Sequence, residues 1–337
     1  MTTNEIGFIT IVIAGFMEGN FAIPMKYMPR WNWENLWLAY SVFGLLVVPW
    51  AVVVITVPEA VMIYGQASPR EIWIPFLFGA LWGVGNVLCG LGVAIVGSGL
   101  GISIVVGLSA AIGTLVPLVT LNLDIVPTRR GLLILSGVAV MVIGVLVCAI
   151  AGMRRESALA TEGQPKGNLK GILLCIISGI ASASINLALA YGSPLRSRAE
   201  DIGYSPNVSA NLVWAWAMTG SFIINMAYCL YLLWKNRSLA KYGYRGTGRY
   251  WFYSGLMGIL LTGGIMVYGF GAASLGALGI SIGWAIFLCF TILSANISGF
   301  VTGEWRGAAT RATSLMIVGS VLLIAAAGVV GYANIGS

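Results

Sequence analysis

The chain has 337 residues, 58% of them hydrophobic and only 9% charged, with a mean hydropathy of +0.92. A soluble domain usually carries about 25% charged residues, and no soluble packing buries this much apolar surface in so short a chain, so the composition excludes a soluble protein and indicates a polytopic membrane protein. The formal charge of +7 invites a nucleic-acid partner, yet the basic residues sit between apolar segments, where they act as orientation signals instead.

The start, MTTNEIG, lacks a basic leader region and no small-residue cleavage site follows it, so the first apolar segment is expected to be retained as a membrane span. Gly15 to Trp37 then reads GFMEGNFAIPMKYMPRWNWENLW. Glu18 lies inside the apolar run, about six residues or roughly 9 Å of helix rise before Pro24. An ionisable group at that depth is costly and is a functional candidate by default. The alternative is a Glu that reaches interfacial water or pairs with Lys26.

Apolar windows of about 20 residues are the right length for helical spans and too long for barrel strands. Ten are predicted, near 6–25, 36–57, 73–96, 99–121, 131–152, 170–191, 207–234, 251–273, 275–299 and 312–333. The polar stretch Met153 to Lys170 divides them into two groups of five, giving a first repeat over 1–152, a cytoplasmic linker over 153–169 and a second repeat over 170–337. Alternate connections hold unequal positive charge. One side carries Lys26, Arg30, Arg154, Arg155, Lys166, Lys170, Lys235, Arg237, Lys241, Arg245, Arg249, Arg306 and Arg311, and the other only Arg70, Arg129, Arg130, Arg196 and Arg198. The richer side is expected to be cytoplasmic, with both termini outside.

The two halves resemble each other. LGISI occurs at Leu100 to Ile104 and again at Leu278 to Ile282, in the fourth span of each group, and Asn20 in span one pairs with Asn186 in span six. Five spans per copy is an odd number, so the second copy must be inverted, an arrangement that places a substrate near the bilayer midplane and permits alternating access. The predicted fold is therefore all-α, with ten transmembrane helices as an inverted five-plus-five repeat. Small-xxx-small glycine spacing, as at Gly79, Gly83, Gly85, Gly90 and Gly92 and again at Gly255, Gly258, Gly263 and Gly264, is read as close helix packing or as bending around a cavity.

Few polar groups interrupt the spans. Asn20 follows Glu18, FGALWGVGN supplies Trp82 and Asn86, span seven supplies Asn211 and Trp214 on one helical face, span eight Tyr268, and span nine Trp284 and Asn296. Asn amides suit solute hydroxyls and aromatic faces suit the C–H face of a sugar; each of these residues equally well serves structure. Trp31, Trp33, Trp37, Trp73 and Trp251 read as interfacial belts. There is no histidine, so proton chemistry falls to Glu18 or other acidic, phenolic, amine or thiol groups. The five cysteines, Cys89, Cys148, Cys175, Cys229 and Cys289, lie singly in apolar runs as small core residues. No Walker motif, metal-ligand cluster or nucleophilic triad is visible, so neither ATP drive, a metal, another cofactor nor enzyme activity is expected.

The run PMKYMPRWNWENLW, the motif FGALWGVGN with the Gly turn after it, SPL at Ser193, and GEWRGA before the last span together resemble the L-rhamnose–proton symporter family of the drug/metabolite transporter superfamily. The resemblance runs nearly end to end. It implies ten helices in an inverted repeat and uptake of a deoxy sugar across the bacterial inner membrane, driven by protons. Two stretches depart from the family's pattern: members often carry small uncharged residues where this chain has Glu18, and GISIGWAIFLCF in span nine lacks their polar, histidine-containing texture. Glu18 is thus read from this chain and not carried over. The expected activity is proton-coupled import of a small neutral sugar such as L-rhamnose, with Glu18 coupling the proton and Asn20, Trp82, Asn86, Asn211, Trp214, Tyr268, Trp284 and Asn296 contacting substrate. The rivals are a same-fold exporter of metabolites or cationic drugs and a non-transporting sensor or subunit.

Overall fold

A computed structural model describes residues 2–159 and 169–335. Among them ten helices are long and apolar enough to cross a membrane: Thr3–Tyr27, Trp33–Thr56, Pro69–Val96, Gly99–Leu121, Arg129–Glu156, Leu169–Glu200, Pro206–Lys235, Gly248–Ser274, Gly279–Val301 and Thr310–Asn334, spans 1 to 10 below. The described residues form no strand. In hydrocarbon every backbone N–H and C=O must be satisfied internally, and a helix does that within one segment.

The predicted windows and the observed spans agree to within a few residues except at three places. The helix of span 5 runs on to Leu159, so the first residues of the expected linker are helical; 160–168, Lys166 among them, lie outside the described residues. A short helix at Ala60–Gln66 follows span 2, and another at Ser193–Glu200 forms the last part of span 6, beyond the predicted window. The SPL element opens the second of these, Pro194 lying in the first turn, where its missing N–H has no intrahelical partner to lose.

Several spans are interrupted. The α-helix of span 1 ends at Gly19 and the chain resumes as a 3-10 turn at Ile23–Tyr27. Span 6 breaks at Ala183, between Leu169–Ser182 and Ser184–Tyr191. Spans 2 and 8 each contain a π-helical turn, Val42–Val47 and Ile259–Gly263, and the two turns pack against each other. Such irregular turns inside membrane helices are tolerated where protein or a cavity surrounds them, and they gather at functional sites.

Span 3 packs along spans 6 and 7, span 4 along spans 5, 6 and 9, span 1 along spans 8 and 9, and span 5 along span 10. The connections tie the two ends separately. At the end carrying most of the basic residues, Arg30 donates to the Arg245 carbonyl (2.7 Å), the Trp31 indole to the Lys241 carbonyl (3.1 Å), and Lys241 to Asn32 (2.5 Å). Glu34, buried there, accepts from Asn32, Asn236 and Ser238. At the other end Arg198 grips both carboxylate oxygens of Glu71 at 2.6 and 3.1 Å.

Lipid tails are as apolar as leucine side chains, so helices associate in a membrane by close packing more than by hydrophobic burial. Span 3 meets span 7 at Gly79, where a methyl group would overlap the Ala217 carbonyl, whereas Gly90 of the same helix faces open space. Gly79→Ala is therefore expected to destabilise by about 1–3 kcal/mol, the usual cost of overpacking, and Gly90→Ala to leave stability unchanged or slightly raised. Thermal midpoints of the purified variants in one detergent check this contrast.

Candidate functional site

Glu18 is the penultimate residue of the α-helix in span 1. The helix ends there because the chain turns: the Asn20 N–H bonds the Met17 carbonyl (3.3 Å) and the Phe21 N–H the Glu18 carbonyl (3.1 Å). The carboxyl thus sits at the negative end of the helix dipole, inside a span that continues apolar to Tyr27. Its Oε2 accepts a hydrogen bond from the Thr291 hydroxyl of span 9 at 3.0 Å.

Two cavities meet at this carboxyl. An inner one of about 160 Å³ is walled by Glu18 and Phe21, Trp37 and Tyr40, Trp82 and Asn86, Val105, Val106 and Ser109, Ser182 and Ile185, Leu261 and Ile265, and Trp284 and Leu288. A vestibule of about 430 Å³ runs from Glu18, Thr291 and Asn296 to Arg155, Glu156, Glu304 and Trp305 at the basic end. Glu18, Phe21, Val106 and Leu288 line both, so Glu18 stands in the wall they share. Together they fall within the roughly 300–1,000 Å³ typical of small-molecule sites. A larger cavity, about 720 Å³, lies apart, between spans 1, 9 and 10 near Thr2, Phe8 and Tyr332, and is mostly apolar.

Hydrogen-bond partners sort the predicted residues. The structure brings Glu18, Trp82, Asn86 and Trp284 to the inner cavity. Among the described residues the Asn86 amide, the Trp82 indole N–H and the Tyr40 hydroxyl have no hydrogen-bond partner, and all three residues face that space. Trp284 instead donates to the Ser109 carbonyl at 3.0 Å and offers the cavity its ring.

The others lie elsewhere. Asn20 bonds the Phe16 carbonyl (2.7 Å), Ser294 (2.6 Å) and Ser298, joining span 1 to span 9. Asn211 donates to Thr56 at 3.1 Å, and Trp214, fully buried, rests on Gly269. Tyr268 donates to Asn186 at 2.6 Å, and Asn186 donates to the Gly113 carbonyl at 2.8 Å. Asn296 lines the vestibule and donates to Ser320 at 3.3 Å. Tyr268, Asn186, Trp284 and Phe287, all buried, fill the space between the inner cavity and the end opposite the basic one.

Sequence reasoning missed Phe21, Trp37, Tyr40, Ser109, Ser182 and Thr291. Trp37 and Tyr40 were discoverable, because three-residue spacing puts them on one helical face; their rings lie 5.0 Å apart. Of the tryptophans read as interfacial, Trp73 and Trp251 are exposed, whereas Trp31 is buried among Tyr242, Tyr250 and Trp251 and Trp37 faces the cavity. The aromatic corner they share packs inward against spans 7 and 8, which removes these two rings from the membrane interface. No group of three or more His, Cys, Asp or Glu among the described residues converges on a metal-sized point.

The family model for the L-rhamnose-proton symport protein (RhaT) matches residues 2–336. The chain belongs to this family. Proteins named L-rhamnose-proton symporter from Salmonella dublin, Salmonella enteritidis PT4 and Salmonella gallinarum are each 30% identical to it over 334 residues, covering 97% of either chain. A multi-pass membrane architecture and membership of a symporter family thus agree, and the basic end of the vestibule forms its mouth.

At the mouth Lys26 bonds Glu304 and also Thr302 (3.1 Å), while Arg155 stands 3.5 Å from the other Glu304 oxygen and 5.1 Å above the Trp305 ring. The Lys26 hydrogen bond holds the Glu304 carboxyl below its ordinary 4.5. A depressed carboxyl contributes stability that is complete above its unfolded value and is lost as the pH falls through the folded one. Both partners are well exposed, so the contribution is roughly 0–1 kcal/mol. Glu304→Gln is expected to lower the thermal midpoint slightly at pH 7, and the difference from the parent is expected to vanish as the pH is taken well below 4.5.

Proposed function

We propose that this protein is a proton-coupled secondary transporter that imports a small neutral sugar, L-rhamnose first among candidates, by alternating access. The observation that carries the reading is the inner cavity, where one carboxyl faces amide, indole and hydroxyl groups that have no protein partner. Buried polar groups are ordinarily bonded; a cluster of unbonded donors around a space suits a ligand that supplies several hydroxyls. Aromatic faces from Trp37, Trp82 and Trp284 suit the C–H faces of a pyranose. The relatives' names supply the sugar.

In this reading Asn86, Trp82 and Trp284 contact the solute, and Tyr40 joins them from span 2. Asn20, Asn211, Trp214, Tyr268 and Asn296 support the walls through the bonds and packing described above. Glu18 carries the proton because it is the carboxyl that both cavities reach. The plug of Tyr268, Asn186 and Trp284 closes one side while the vestibule leads to the other, so access alternates if the plug opens as the vestibule closes.

The basic end is assigned to the cytoplasm of a bacterial inner membrane and both termini to the periplasm, following the asymmetry of positive charge. The inverted repeat belongs to the same proposal. Its support is that the packing pairs recur: 3 with 6 as 8 with 1, 4 with 6 as 9 with 1, 4 with 5 as 9 with 10, and 3 with 7 as 8 with 2. The two repeats are 1–152 and 170–337, joined by the linker.

Reconstituted into proteoliposomes, the protein is expected to accumulate L-rhamnose when the pH gradient is imposed. Glu18→Gln is expected to abolish accumulation while sugar–sugar exchange persists; accumulation that survives the substitution refutes the coupling role. Asn86→Ala is expected to raise the apparent KM about tenfold, the loss of a hydrogen bond or two to the solute.

A further inference from the structure

The Thr291 hydroxyl has one proton and two acceptors. Its Oγ1 lies 3.0 Å from Glu18 Oε2 and 2.9 Å from the Phe287 carbonyl oxygen, one turn back on the same helix. A hydroxyl donates once and accepts through its lone pairs, so it cannot donate to both. When Glu18 is ionised it is an acceptor only, and Thr291 must turn its proton to it. When Glu18 is protonated, its own O–H points at Thr291 Oγ1 across the same 3.0 Å, and the Thr291 proton turns to Phe287.

We propose that Thr291 is a positioning residue that reads the protonation state of Glu18 and passes it to span 9. This rests on the reading of Glu18 as the coupling group. The Glu18 proton comes from and returns to water in either cavity; the Thr291 proton only rotates between its two acceptors. The output is mechanical. A threonine back-bond to the carbonyl four residues earlier tends to bend a helix, and the carbonyl concerned belongs to Phe287. That ring stacks on Tyr268 at 4.9 Å and lies 5.5 Å from Trp284, both members of the plug. Protonation on one side of the cavity is thereby tied to the helix that carries the plug on the other.

The surroundings leave this relay to these two side chains. Span 2 presents Tyr40 to Glu18, and spans 3, 4 and 6 present Trp82, Asn86, Ser109 and Ser182, all uncharged. The charged groups of the vestibule, Arg155, Glu156 and Glu304, and Lys26 beside them, line or border its mouth.

Thr291→Val removes the hydroxyl and keeps the shape, and Thr291→Ser restores the hydroxyl. In proteoliposomes the valine variant is expected to keep sugar–sugar exchange within about twofold. Its gradient-driven uptake is expected to fall about tenfold, the scale of a lost hydrogen bond to a charged group, with a flattened pH profile, and serine is expected to rescue both. Combined with Glu18→Gln, Thr291→Val is expected to add nothing, the signature of two residues acting through one interaction. Uptake by Thr291→Val equal to the parent, or loss of exchange in equal measure with uptake, overturns the relay while leaving the Glu18 reading intact. Full coupling in Glu18→Gln overturns both.

Discussion

The site depends on how closely span 1 can approach span 9. A methyl group on Gly15 would lie 2.7 Å from the Phe290 Cβ and 2.8 Å from the Phe287 carbonyl oxygen, and one on Gly19 would overlap the Thr291 carbonyl. Without side chains at these positions the two backbones come together, and Asn20 then reaches Ser294 and Ser298. In lipid, where apolar burial does little to hold helices together, such contacts decide which faces meet. Here they bring the Thr291 hydroxyl to Glu18. One wider residue at Gly19 would push the helices apart and leave a buried carboxyl with no donor, which in a low-dielectric interior is far costlier than the contact itself.

The same economy of polar groups separates framework from site. Asn20, Asn186, Asn211, Asn225 and Asn296 are all bonded to neighbours on other spans or within their own. Asn86 differs from these five in facing the inner cavity with no hydrogen-bond partner among the described residues. An asparagine inside a membrane helix is expensive to leave unsatisfied, so those with partners hold helices in place and the unpartnered one is available to solute. Tyr40 stands in the same relation to Tyr268, whose hydroxyl is bonded in the core, whereas Trp82 differs from the fully buried Trp214 in facing the inner cavity.

Ten spans were legible because hydropathy over about 20 residues reports lipid directly, and LGISI begins span 9 after a short turn just as it lies at the start of span 4. The helix breaks at Gly19 and Ala183 and the π-turns at Val42–Val47 and Ile259–Gly263 were not legible, because the residues there are ordinary membrane residues and tertiary packing imposes the irregularity. Glu18, Trp82, Asn86 and Trp284 were found because a polar or aromatic residue stands out within an apolar run. Nothing in the sequence distinguishes Asn86 from Asn211, since both are single asparagines in a span; the difference lies in whether Thr56 or empty space faces the amide. Thr291 was missed for a related reason: a threonine in a membrane helix usually bonds back to its own helix, and Thr291 does that as well.

The two broken spans are the key to how such a device becomes directional. On the proposed repeat, span 1 corresponds to span 6, and each break is followed within a few residues by an asparagine, Asn20 after Gly19 and Asn186 after Ala183. Asn186 holds the plug through Tyr268 and the Gly113 carbonyl, an amide, a phenol and a backbone group with no carboxyl among them. At the other break Glu18 precedes the turn, and in the proposed coupling role its charge depends on which cavity supplies the proton. If both breaks carried neutral groups, the two closed forms would differ only by solute, and a proton gradient would have no purchase on their balance. An effector shifts an equilibrium only through its differential interaction with the two states, and a single carboxyl placed at one of two otherwise similar breaks supplies that difference.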